Sequence, residues 1–511
     1  MTDLSVSKEN EVFGHPKGLF YLFFAELWER FSFYGMRALL MLYMTERIFS
    51  ALSNRDFVAA GIYAGYGSLV YATPVLGGLL ADRVLGYRSA ITLGGILMAI
   101  GHIVLAFESD FGFFAGLGFI IIGNGYFKPN ISTFVGTLYK KDDVKKDAGF
   151  SIFYMGINIG AAVAPILCGW LGREYGWHYG FGLAGLGMIL GVIVFRYGIN
   201  TGVFGDKGHS PDPELMEKKT MGIKTKWLIP ILSFLAVPIV GFAISYGKQN
   251  WPIIGEFMYE WQIINWTFTA VLLIIAYVVI KTMIEVSRES REKLLVAIFY
   301  TLYITLFWAF YEMSGSTLTL FAQRNVNLVL IDASQTNFLT GGYIVLMALP
   351  FAALWRYLDK RGKNPRTPFK FVIGLACLAL GYYLFAISGN FADEVGRVPF
   401  FFMLAGYFFF CFGEMFVSPI GLSKIVDLSP KQIVSFMMGV WFLAVALAFR
   451  VIDFVSKSLA IEGTADSENI GAESLLVYTD GFTLIAKITL GGAVFALIMV
   501  PFLKRWSRGV H

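Results

Sequence analysis

Glu26-Leu27-Trp28-Glu29-Arg30-Phe31-Ser32-Phe33-Tyr34-Gly35-Met36-Arg37 lies inside an apolar segment over about 19–44, long enough to cross a bilayer as a helix. Four ionisable side chains are therefore carried at or near membrane depth. On insertion scales each charge costs about 2.5–3.5 kcal/mol at a helix centre, so the set persists only if its members pair or face a wet cavity. Helical spacing brings them together. Glu26 and Arg30 are four apart, Glu26 and Glu29 three apart, and Arg30, Tyr34 and Arg37 extend the same stripe. Apolar sequence continues well past Arg37, so this is a polar stripe within a span rather than the charged end of one.

Composition sets the class around that stripe. The chain has 511 residues, 56% hydrophobic and 15% charged, with a mean hydropathy of +0.64. That is an all-α integral membrane protein, because its apolar runs are helix-length and do not alternate as barrel strands do. The lipid bilayer is thus an expected partner. The formal charge of +5 is spread over loops and makes no nucleic-acid-binding stripe. Cys168, Cys377 and Cys411 are scattered through apolar sequence and read as small core residues. The first apolar stretch is too long for a signal peptide and lacks a basic leader, so it is expected to be retained.

Further apolar spans follow near 57–81, 89–107, 112–138, 148–171, 178–197, 227–247, 261–281, 295–322, 335–357, 370–388, 398–424, 433–457 and 481–503, about fourteen in all. Loop charge fits an even count with both termini in the cytoplasm. Expected inside loops hold Asp82-Arg83 to Arg88, Lys140-Lys141-Asp142-Asp143-Val144-Lys145-Lys146-Asp147, the stretch with Lys218, Lys219, Lys224 and Lys226, Lys281 to Lys293, and Arg356 to Lys370. The longest outside loop carries Glu462, Asp466, Glu468, Glu473 and Asp480 and no Lys or Arg. Six plus two plus six spans suggest a six-helix bundle over 1–200, a linker with two inserted helices over 201–292, and a second six-helix bundle over 293–511. Leu80-Ala81-Asp82-Arg83-Val84-Leu85-Gly86 has a loose echo in Leu358-Asp359-Lys360-Arg361-Gly362. The inserted pair, poor in ionisable residues, reads as peripheral and structural.

Three other spans carry charge deep in apolar sequence: Lys128, Glu312 and Glu414. Lys128 sits among Gly123, Asn124, Gly125 and Pro129, where small residues allow close helix approach and Pro129 removes a backbone donor. Arg30, Arg37 and Lys128 belong to the first half and Glu312 and Glu414 to the second. A cleft between halves would then be positive on one wall and negative on the other, which suits a short zwitterion better than an inorganic ion. Tyr34, Tyr71, Tyr154, Trp308, Trp441 and Asn158 are each candidates for lining such a cleft or for bundle packing. His102 reads as a packing residue. There is no HExxH, no metal-spaced Cys/His set, no Walker loop and no Gly-x-Ser-x-Gly in a soluble context, so the chain does not read as an enzyme. With no nucleotide site, an ion gradient is the expected energy source. Glu26, Glu29, Glu312 and Glu414 favour protons.

Glu26-x-x-Glu29-Arg30-Phe31, Gly77-x-x-x-Ala81-Asp82-Arg83-x-x-Gly86, Phe153-Tyr154-x-x-Ile157-Asn158-x-Gly160 and Phe412-Gly413-Glu414 together resemble the proton-dependent oligopeptide transporters of the major facilitator superfamily. The resemblance covers nearly the whole chain, and the fourteen-span layout resembles the bacterial members. It implies the major facilitator fold and a proton-coupled symporter importing dipeptides and tripeptides across the inner (plasma) membrane by alternating access. It further implies a monomer that needs no cofactor, with the proton as coupling ion. By the same resemblance, Arg37 and Lys128 would grip the peptide carboxylate, with Tyr34, Tyr71 and Asn158 lining the pocket. Glu414 and Ser418 would meet the amino group, and Trp308 and Trp441 would shape side-chain pockets. Glu26, Glu29, Arg30 and Lys128 would couple protonation to substrate, and Arg37 with Glu312 would resemble an extracellular gate. Where similar proteins often place Asn-Pro, this chain has Gly341-Gly342, which removes an amide contact for the substrate's amino end. A nitrate or drug transporter on the same scaffold, or a peptide receptor that does not transport, are the other readings.

Overall fold

At bilayer depth no water is present to satisfy backbone N–H and C=O groups, so long apolar runs close their hydrogen bonds within themselves as helices. The computed structural model describes residues 11–140, 143, 145–220, 222–245, 263–418, 421–463 and 470–509. Lys141, Asp142 and Val144 of the basic run, Asp466 and Glu468 of the acidic loop, and parts of the spans expected at 227–247, 261–281 and 398–424 lie outside the described residues.

The helices are α1 (Lys17–Tyr43), α2 (Arg55–Leu80), α3 (Gly86–Leu105), α4 (Asp110–Thr137), α5 (Lys146–Glu174), α6 (Trp177–Asn200), the short α7 (Pro213–Glu217), α8 (Thr225–Ile244) and α9 (Ile263–Glu285). They continue with α10 (Arg288–Tyr311), the short α11 (Thr317–Asn325), α12 (Phe338–Lys360), α13 (Thr367–Ser388), α14 (Phe400–Val417), the short α15 (Gly421–Leu428), α16 (Val434–Ser458) and α17 (Ile470–Trp506). Without the three short ones, fourteen helices remain among the described residues. Strand pairing there is confined to three two-residue ladders, so the fold is all-α as expected.

Eleven continuous helical stretches among the described residues combine the length and apolarity needed to cross a membrane. One of them, Arg55–Leu105, is 51 residues long and holds both α2 and α3, joined by a π-helical turn over Ala81–Leu85. Gly86 follows that turn at φ +71° and Gly362 ends the corresponding turn after α12 at φ +63°, so the echo between the two loops extends to backbone conformation. α1 and α9 stand apart from the eleven, α1 because Glu26, Glu29 and Arg30 charge its middle turns.

Two boundaries differ from the hydropathy reading in ways that affect function. The span expected over 295–322 is broken: α10 stops at Tyr311, Glu312–Gly315 form a 3-10 turn, and α11 resumes at Thr317. Glu312 therefore sits at a helix break and not within a regular turn. The last helix also starts earlier, at Ile470 rather than near 481. Apolarity averages over such interruptions, and local glycine and serine chemistry decides them.

Contacts divide the chain into two compact units, Met1–Leu40 with Leu69–Ile244 and Met41–Ser68 with Ser245–His511. In the first unit, glycines set helix separations. A Cβ on Gly101 would lie 2.7 Å from the Gly116 carbonyl oxygen across α3 and α4, and one on Gly160 would lie 2.6 Å from the Leu27 carbonyl oxygen. α1 is thereby seated on α5. Behind α4 lies α8, tied by a Tyr126–Ser233 hydroxyl hydrogen bond of 2.9 Å and by Val237, which is buried with Phe119 and Leu97. In the second unit, α13 packs on α14 and α17, and α10 on α16. Its centre is aromatic: Tyr382 and Phe410 rings lie 5.0 Å apart, and Phe321 meets Phe482 edge-on at 5.1 Å.

Candidate functional site: a buried ion cluster on the first helix

The i, i+4 geometry of α1 puts Glu26 and Arg30 on one face, and Glu29 reaches the same guanidinium from the adjacent position. Arg30 Nη2 donates to Glu29 Oε1 at 2.5 Å and Nε donates to Glu29 Oε2, a bidentate fork. Arg30 Nε lies 3.3 Å from Glu26 Oε1. All three residues are almost fully buried, Glu29 at 0% exposure and the others at 2–3%. Glu26 Oε2 is buried and has no hydrogen-bond partner among the described residues. Two carboxylates thus share one guanidinium, and the triad carries one uncompensated negative charge when all three are ionised.

Lys128 on α4 supplies the balancing charge. It lies within Coulombic reach of Glu26, and its Nζ stands 4.0 Å from the centre of the Tyr71 ring on α2. The local sequence explains the close approach of α2 and α4. Pro129 has no N–H, which frees the Gly125 carbonyl inside α4, and the Cβ-less Gly77 of α2 lies directly against that carbonyl. Asn130 Nδ2 then ties the two helices by donating to the Gly77 carbonyl at 3.3 Å and to the Tyr126 carbonyl at 2.7 Å.

Arg37 is buried, with its guanidinium 5.9 Å from the Tyr34 ring centre. Asn158 is buried on α5 and donates to the Tyr154 carbonyl at 2.9 Å. Glu26, Glu29, Arg30, Tyr34, Arg37, Tyr71, Lys128 and Asn158 all belong to this unit.

Glu312, Trp308, Glu414, Ser418 and Trp441 belong to the second unit. Glu312 is buried at the break after α10, and its backbone carbonyl accepts from Tyr63 at 3.3 Å. Trp308 is half-buried, its ring edge-on to Tyr311 at 5.1 Å. Glu414 is buried on α14 within electrostatic reach of Tyr311, whose hydroxyl lies 3.7 Å from Cys411 Sγ. Ser418 and Trp441 are half-buried.

A second buried ion pair escaped the sequence reading. Arg324, at the end of α11, forks onto Asp56 at the start of α2, with Nη1 2.5 Å from Oδ2 and Nη2 2.8 Å from Oδ1. Tyr478 accepts from Arg324 at 3.0 Å, and the Ile461 backbone N–H donates to Asp56 at 3.2 Å. Gln323, beside it, donates to Glu46. These residues lie at the ends of apolar runs, where charge is ordinary, and 268 positions separate the pair. The available signal was a Gln-Arg-Asn run, Gln323-Arg324-Asn325, directly after the apolar span expected over 295–322.

The family model described as the POT family matches residues 88–470. A di-/tripeptide transporter of Lactococcus lactis subsp. cremoris is 36% identical over 450 residues, covering 85% of this chain and 88% of that protein. An uncharacterized transporter of Bacillus subtilis is 35% identical over 509 residues, covering 98% of this chain and 96% of its own length. Among solved structures, a mutant of the peptide transporter POT in complex with sulfate superposes with a TM-score of 0.81 at 33% identity, covering 97% of this chain and 96% of that one. Fold, coverage and identity agree, and the chain belongs to the POT family of transporters.

Proposed function

We propose that this protein is a proton-coupled symporter that brings dipeptides and tripeptides into the cell across the inner (plasma) membrane by alternating access. The observation that carries the proposal is the buried Glu26–Glu29–Arg30 triad with Lys128 in reach, in a chain whose Lactococcus relative is named for di- and tripeptides. With both carboxylates ionised, the triad and Lys128 together are neutral. When one carboxylate takes up a proton, the cluster becomes net positive, and Lys128 is released to hold a substrate carboxylate. Proton and peptide then favour the same state, which is the condition for symport.

The remaining roles are those that the resemblance to the oligopeptide transporters implies. Arg37 and Lys128 take the peptide carboxylate, with Tyr34, Tyr71 and Asn158 around it. Glu414 and Ser418 take the amino end, and Trp308 and Trp441 bound the side chains. Glu312 joins Glu26, Glu29, Arg30 and Lys128 in proton coupling and pairs with Arg37 when the outer path closes. Both termini are cytoplasmic, the working unit is a monomer, and the proton is the coupling ion with no cofactor required. Gly341-Gly342 on α12 offers no side-chain amide to the amino end, which leaves more of that grip to Glu414.

Uptake of a labelled dipeptide into liposomes holding the purified protein tests the reading. Accumulation driven by a proton gradient should collapse on adding a proton carrier. Glu29→Gln should lose accumulation yet retain peptide exchange across the membrane. Gradient-driven uptake of wild-type rate by Glu29→Gln would refute the coupling role.

A further inference from the structure

On the side of α1 turned away from the ion triad, the first unit has a cavity of about 260 Å³ bounded by α1, α5 and α6. Its floor is Leu27, Trp28 and Phe31, the residues interleaved with Glu26, Glu29 and Arg30 on the same turns. Val163 and Leu186, 40% and 51% exposed, stand at its mouth. Every lining residue is apolar or glycine. Gly160 and Gly187 line it at the points where α5 and α6 sit directly on α1, since an added Cβ would lie 2.6 Å from the Leu27 carbonyl oxygen and 2.7 Å from Phe31 Cδ1.

The depth of this cavity determines what fills it. It lies at the central turns of all three helices, where a spanning chain is surrounded by hydrocarbon. Water has no polar group there to bind, and an apolar cavity of roughly 150 Å³ already takes a benzene-sized guest. A larger notch open to the bilayer core therefore takes methylene groups. We propose that this notch is a binding site for one acyl chain of a bilayer phospholipid, seated against the back of the turn that carries the ion triad. The inference is independent of which solute the protein moves.

A lipid that merely passes over the surface touches the mouth, whereas a seated chain also touches the floor. The full-length protein is reconstituted in phosphatidylcholine carrying a photoreactive diazirine midway along one acyl chain, irradiated, and mapped by mass spectrometry. Adducts are expected on Leu27 and Trp28 as well as on Val163 and Leu186. Leu167→Trp, which fills the notch from α5, should lower the floor adducts at least tenfold and leave those at the mouth. Leu183→Trp, from α6, serves the same purpose should that variant misfold. Labelling of the mouth without the floor in the wild type would overturn the proposal, as would a protein–protein cross-link through Trp28, which would assign the notch to a second copy.

Discussion

At the scale of single residues, the strongest commitments are the two guanidiniums forked by carboxylates, Arg30 and Arg324. Arg30 is forked by Glu29 and approached by Glu26 at under 4% exposure. Removing one partner of a buried ion pair leaves charge without compensation, at about 3–5 kcal/mol. Arg30→Met is therefore expected to lower the unfolding midpoint in detergent sharply. Arg30→Lys should recover little, because an ammonium cannot reproduce the planar fork. A midpoint equal to wild type in both would show that the triad is already discharged. The same reasoning applies to Asp56 and Arg324, with a sharper control. Asp56→Ala and Arg324→Ala should each destabilise, while the exchanged pair Asp56→Arg with Arg324→Asp should regain part of the loss. A double-mutant coupling below about 0.5 kcal/mol would mean that the two act independently. The first cluster was legible because its members fall within one turn of one helix, where spacing fixes proximity. The second was not, because nothing in the sequence pairs the start of α2 with the end of α11.

At the scale of elements, hydropathy located the spans and missed their interruptions. The break at Glu312–Gly315 is a short polar interval between two apolar flanks, so an average over the whole run passes over it. Helix contacts made by glycine are likewise invisible until the partner is known. On α8, a Cβ at Gly241 would lie 2.7 Å from the Phe114 carbonyl oxygen, whereas a Cβ at Gly439 on α16 would meet nothing within 4 Å. Gly241→Ala should cost about 1–3 kcal/mol by overpacking, and Gly439→Ala should be neutral or stabilising by about 0.4–1 kcal/mol. Equal unfolding midpoints for the two variants would contradict the close α4–α8 contact. The hairpin before α8 titrates separately. Hydrogen bonds from Lys224 and Lys226 hold the Glu217 carboxyl down at about 2. A depressed carboxylate stabilises the fold fully above its ordinary value near 4.5 and loses that contribution as pH falls toward 2. Pepsin should therefore cut around 215–225 slowly at pH 4.5 and faster as the pH approaches 2, and Glu217→Gln should remove that local dependence.

At the scale of the whole molecule, contact and sequence order part company. Met41–Ser68, the end of α1 and the start of α2, groups with the second unit although it is flanked by the first, and α8 and α9 fall in different units. A linear reading assigns a segment to its neighbours in the chain, and long-range pairs such as Asp56 with Arg324 are what reassign it. Orientation in the membrane, by contrast, follows from quantities that the chain does carry in order. Arg361, Lys363 and Arg366 between α12 and α13 are all basic, whereas the next connection, between α13 and α14, holds Asp393, Glu394 and Arg397. Basic loops stay on the cytoplasmic side, so consecutive loops of this kind must alternate across the bilayer. The exposed Lys363 and Glu394 are convenient reporters, because the native cysteines Cys168, Cys377 and Cys411 are buried or half-buried. A membrane-impermeant maleimide should label Glu394→Cys on intact cells and label Lys363→Cys only after permeabilisation. The reverse pattern would invert both connections together, because α13 runs between them and neither can flip alone. It would also place the acidic loop before α17 in the cytoplasm, against the charge distribution of the entire chain.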